Sequence, residues 1–98
     1  MNNFPKHSLF AYTPMTFVPV IASFDTEGHI KPLYVRINGI SLKIYSYYER
    51  NRYANTIEFN CKVIDDTTEE TYLKPLLLTY YQAERVWTIP KQSNTEES

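Results

Sequence analysis

Tyr34, Arg36, Lys43, Tyr45, Tyr47, Arg50, Arg52 and Tyr53 are the residues best suited to binding chemistry. The spacing of two in Tyr34/Arg36 and in Lys43/Tyr45/Tyr47 puts each set on one face of an extended strand. Tyrosine rings stack on bases or fill apolar contacts, and guanidinium and ammonium groups meet phosphates or carboxylates. Three readings follow. The set docks a protein partner, or a second copy of the chain, through Tyr/Arg anchors. It holds a single-stranded nucleic acid. Or it is simply the solvated face of a sheet, which suits tyrosine. The net charge of −1 and pI of about 6.1 count against nucleic acid, since phosphate contacts dominate such affinity. Residues 29–62, however, hold six cations against Glu49 and Glu58, a local net charge of +4.

Catalytic chemistry finds little to work with. Ser8, Ser23, Ser41 and Ser46 have no nucleophile-elbow context. Cys61, the one cysteine, alternates with apolar residues and reads as a buried, inert thiol. His7 and His29 are far apart, and His29 follows Gly28 at a turn. Asp25 and Glu27 beside it, with Asp65 and Asp66, lack the spacing of a calcium loop and read as turn formers. A lone cysteine also excludes an internal disulfide or a cysteine-based zinc site. With Gly28 and Gly39 the only glycines, the phosphate-binding motifs that need two or three of them at fixed spacing cannot be written. The expectation is therefore a non-enzymatic protein with no metal, no cofactor and no nucleotide.

The elements that must position these residues are strands. Leu33, Val35 and Ile37 alternate with Tyr34 and Arg36, then Asn38-Gly39 supplies a type I′ turn. That turn pairs Ile37 with Ile40, Val35 with Leu42, Leu33 with Ile44, and Tyr34 with Lys43. A one-residue slip would destroy the match. Phe17–Phe24 is a second apolar run, ended by a type I turn at Asp25-Thr26-Glu27-Gly28 and pairing with the strand near His29; Pro19 makes it an edge strand or one that enters the sheet late. Tyr45–Tyr53 is the best helical candidate, yet its tyrosines and its continuity with the hairpin favour strand. Thr56–Ile64 and Tyr72–Tyr81 follow. Pro75 implies a bulge or an unpaired position, and a bend at Gln82–Arg85 pairs Tyr81 with Val86, Tyr80 with Trp87 and Leu78 with Ile89.

The expected fold is all-β: one small antiparallel barrel or strongly bent sheet of five to six strands, SH3-like or OB-like, spanning 17–90. Residues 1–16 read as an irregular arm and 91–98 as a solvated, disordered tail. The core is expected from Val18, Val20, Leu33, Val35, Ile37, Leu42, Ile44, Ile57, Phe59, Cys61, Val63, Leu76, Leu78, Tyr80, Trp87 and Ile89. The absence of a signal-peptide pattern, a membrane-length apolar run or disulfide pairs places the chain in the cytoplasm. The run PVIASFDTEGHIKPLYVRING and the closing LLLTYYQAERVWTI resemble small all-β bacterial proteins, of the kind carried in Firmicutes genomes and their mobile elements. The resemblance covers about 18–90 and implies a hairpin scaffold, with no activity to carry over.

Overall fold

A computed structural model describes residues 15–91. Seven strands run in chain order: β1 (Met15–Val18), β2 (Val20–Phe24), β3 (Ile30–Ile37), β4 (Ile40–Arg52), β5 (Thr56–Asp65), β6 (Tyr72–Tyr81) and β7 (Val86–Pro90). They form one sheet in the order β1-β7-β6-β5-β4-β3-β2, every pair antiparallel. The arm and tail expected at the termini fall outside the described residues, except that β1 begins at Met15, inside the span read as arm, and that Lys91, exposed and outside any strand, opens the span read as tail. Among the described residues no helix is long and apolar enough to cross a membrane.

The strand count exceeds six because Pro19 divides the first apolar run. Proline lacks the N–H that a ladder needs. β1 therefore pairs with β7, and β2 with β3. At the corner the Pro19 carbonyl accepts a hydrogen bond from Arg36 N–H at 3.0 Å. The two edges of the sheet are thus adjoining parts of one chain segment, and the sheet curls so that they meet. Phe24 on β2 accordingly packs edge-on against Tyr80 on β6, with ring centroids 5.9 Å apart.

The turns set the register. Asn38 and Gly39 hold φ of 52° and 78°, and Ile37↔Ile40, Val35↔Leu42 and Tyr34↔Lys43 pair as the turn chemistry dictates. At the first turn Asp25 Oδ1 accepts from Glu27 N–H and His29 N–H at 2.9 and 2.8 Å, while Gly28 N–H reaches the Asp25 carbonyl at 3.1 Å. The last hairpin pairs Tyr80 with Trp87 and Tyr81 with Val86. Pro75 is not bulged; it lies opposite Lys62 in regular register, where β6 has not yet met β7.

The expected Leu33–Ile44 pair does not form. The register of β2 against β3 jumps from Ile21↔Tyr34 to Ala22↔Pro32, leaving Leu33 as a bulge. The bulge reverses the inward phase, so Ile30 and Pro32 are buried on one side of it and Val35 on the other. β4 is bulged twice: Ile44 faces Val63 but Ser46 faces Lys62, and Glu49 faces Phe59 but Asn51 faces Glu58. The inner face is filled by Val18, Ile30, Val35, Ile44, Ile57, Phe59, Cys61, Val63, Leu78, Tyr80, Trp87 and Ile89, with Val20, Ala22, Ile37, Leu42 and Leu76 packed against them. Leu33 is half-buried. Tyr80 and Trp87 (centroids 4.7 Å) and Phe59 and Trp87 (5.9 Å) form the aromatic centre. The inward row of β5 ends at Asp65, whose carboxylate accepts from Lys74 Nζ at 2.6 Å, Thr67 Oγ1 at 2.6 Å and Thr67 N–H at 3.0 Å. The Lys74 ammonium first, and then the Thr67 donors, hold that carboxyl well below the usual carboxylate range.

Candidate interaction surface

The eight residues singled out in the sequence do not share one face. Tyr34 and Arg36 point outward from β3, and Lys43 points outward from β4 directly opposite Tyr34. Tyr45 stands exposed in the first β4 bulge, next to Ser46. Tyr47, expected outward, is displaced by that bulge to the inner phase. It faces Cys61, and its ring meets Phe59 edge-on at 5.9 Å.

Arg50 sits in the second bulge, 4.0 Å from Glu58 Oε1. Arg52 returns to the inner phase opposite Ile57 and grips Glu49 with Nε at 2.8 Å and a second guanidinium nitrogen at 3.1 Å. That two-point contact lowers the Glu49 pKa and raises that of Arg52. Tyr53 follows β4 and closes a short loop by donating its N–H to the Thr56 carbonyl at 2.8 Å.

The outer face instead gathers residues outside the set singled out in the sequence. Lys31 projects beyond the Leu33 bulge. Lys62 on β5 faces Ser46. Tyr48 faces Asn60, whose Nδ2 donates to the Tyr48 hydroxyl at 2.8 Å. Ile21 on β2 faces Tyr34 and is 63% exposed. The outward phase of Asn60 and Lys62 is readable in the sequence. That of Tyr48 is not, because it depends on the bulge at Tyr45.

Across β2–β5 this convex surface presents Lys31, Arg36, Lys43 and Lys62 around Ile21, Tyr34, Tyr45 and Tyr48. None of the four cations takes part in an ion pair. The unsatisfied charge is all positive, and the apolar area between the charges is aromatic or aliphatic.

The other candidate groups fare differently. The Cys61 thiol is buried against the core and its pKa is pushed up to about 12 by that burial, so it remains protonated at neutral pH. The His29 side chain is 71% exposed on its turn, with Nδ1 at 3.1 Å from Asp25 Oδ2 and 3.7 Å from Glu27 Oε1. Among the described residues no group of three or more His, Cys, Asp or Glu side chains is placed to hold a metal ion. No protein-family model matches the chain, and no curated protein or solved structure shows significant similarity to it.

Proposed function

We propose that the protein is a non-enzymatic interaction module that binds an acidic surface of a protein partner through the convex face of β2–β5. One observation carries this reading: Lys31, Arg36, Lys43 and Lys62 lie on that face with no ion-pair partner, interleaved with exposed Tyr34, Tyr45, Tyr48 and Ile21. Tyrosine supplies rigid contact area and the cations supply steering and register. Arg52 lies outside this reading because its charge is already met by Glu49. The intracellular setting expected from the lone cysteine belongs to the same proposal.

The test compares affinity capture by the unaltered chain with capture by Lys43→Glu and Arg52→Glu variants. Loss with Lys43→Glu and retention with Arg52→Glu is the expected pattern. Equal capture by all three correctly folded chains would overturn the reading.

A single-stranded nucleic acid is the second reading, favoured by the same unpaired cations and by tyrosine faces open for stacking. Fluorescence anisotropy with labelled oligonucleotides separates the two. Binding at low salt that weakens steeply as salt rises, and is lost in Lys43→Glu, supports nucleic acid. No binding at low salt excludes it, because the electrostatic contribution is greatest there.

A further inference from the structure

The margin of β2 that faces away from β3 carries no strand among the described residues. An open cleft separates Val20 from Arg85 and Val86, so the β6–β7 turn does not cover that margin either. Ile21 is 63% exposed and Phe24 57%, and Ser23 is exposed between them. Sheet margins are ordinarily blunted by charged side chains, lysine above all. None stands here: Met15–Phe24 holds no charged residue, and its one proline lies at the corner, before β2 begins.

Two bonds fix the direction of the free backbone groups. Arg36 N–H donates to the Pro19 carbonyl, and Asp25 N–H donates to the His29 carbonyl, each at 3.0 Å. Hydrogen-bonded positions alternate along an antiparallel strand, and the extra residue of the Leu33 bulge lies on β3, not on β2. Pro19, Ile21, Ser23 and Asp25 therefore turn their backbone towards β3. Val20, Ala22 and Phe24 turn theirs outward, to the open margin. The free groups are thus symmetric about Ala22.

We propose that β2 pairs antiparallel with β2 of a second copy, about a two-fold axis at Ala22, so that one sheet runs through both chains. Val20, Ala22 and Phe24 then face the second copy's Phe24, Ala22 and Val20, each pair exchanging both N–H···O bonds. Phe24 lies beside the second copy's Val20 on the inner face, and Ile21 beside its Ser23 on the outer face. The charges match in the same register. Asp25 falls opposite the second copy's Pro19, whose carbonyl is held by Arg36. Asp25 shares the outward phase of Ile21 and Ser23, so it projects from the same face as that arginine. Within one chain Arg36 takes part in no ion pair, and Asp25 and Glu27 pair with no lysine or arginine. The two-fold axis brings acid and base together twice, which marks a second copy as the occupant. A margin of five residues makes a small interface, so the dimer is reversible and depends on concentration. The pairing does not depend on what the basic patch binds.

Sedimentation equilibrium on the full chain tests it. The mean mass should rise with concentration from that of one chain towards that of two. Ala22→Pro removes the central free N–H, and a sheet margin tolerates proline there. That variant should keep the mass of one chain throughout, with near-ultraviolet circular dichroism unchanged. A single-chain mass for the unaltered protein up to about 1 mM, or a dimer that survives Ala22→Pro, would overturn the proposal. Amide exchange of the unaltered chain locates the contact without any substitution. The Val20, Ala22 and Phe24 amides should slow at least fivefold between dilute and concentrated solution, and concentration-dependent protection confined to other strands would overturn it. Arg36→Glu should weaken the dimer about fivefold, since each pair is lost twice, and adding Glu27→Arg should restore it. A dimer indifferent to both changes would overturn the register.

Discussion

Asp65 shows how one side chain can end a hydrophobic row. Each inward residue of β5 before it is apolar, and a carboxylate in that phase survives only because an ammonium, a hydroxyl and a backbone N–H all reach it. Its pKa is lowered in the fold, so its stabilising effect is present above the ordinary carboxylate pKa of about 4 and is lost as pH falls below that towards the folded value. Asp65→Asn should therefore lower the denaturation midpoint at pH 7, and the gap between the two chains should close as pH falls from about 4 towards 2. Denaturant titrations at a series of pH values read this directly; a gap that stays constant down to pH 2 would assign the destabilisation to packing rather than to charge. Reading Asp65 as a turn former captured half of its role, because the Thr67 contacts are those of a turn. The contact with Lys74, nine positions away in sequence, depends on the β5–β6 pairing.

At the scale of elements, turn chemistry was legible and strand curvature was not. Asn38-Gly39 fixes its hairpin because both positions hold positive φ, and Gly39 at 78° is a conformation that side chains resist. Gly39→Ala should cost about 1–2 kcal/mol in equilibrium unfolding. The β6–β7 turn holds Arg85 at φ 61°, so Arg85→Gly should offset part of that strain and stabilise by up to about 1 kcal/mol. A neutral result at both sites would contradict the turn geometry.

The bulges left no such mark. Nothing in Ile44-Tyr45-Ser46 requires an extra residue; the need arises from bending a long strand around a small core, a property of the neighbouring strands. Placing Tyr47 and Arg52 outward failed for that reason, since alternation carries the correct face only as far as the first bulge. Tyr34, Arg36 and Lys43 lie within reach of the turn and were placed correctly.

For the whole molecule, stability should grade from the centre of the sheet outward. β5 is paired along its length with both β4 and β6 and supplies Ile57, Phe59, Cys61 and Val63 to the core. β1 and β2 are each short and paired on one side. Native-state hydrogen exchange should show the slowest amides in β5 and β6, and the first opening in residues 15–24. Equal protection of β1 and β5 would refute this ordering. The near-neutral net charge with which the chain presents itself also separates on this scale: Lys31, Arg36, Lys43 and Lys62 gather on one convex face outside any ion pair, while Glu49, Glu58 and Asp65 make contacts within the fold.

The corner at Pro19 has a consequence for behaviour under stress. Because one segment covers both margins of the sheet, its release bares the unpaired backbone of β3 and β7 together. The piece that fits those two margins is the same ten residues of another copy. Chains held near their unfolding midpoint at high concentration should therefore exchange residues 15–24 reciprocally. The product is a domain-swapped dimer in which every native pairing is kept and only its chain of origin has changed.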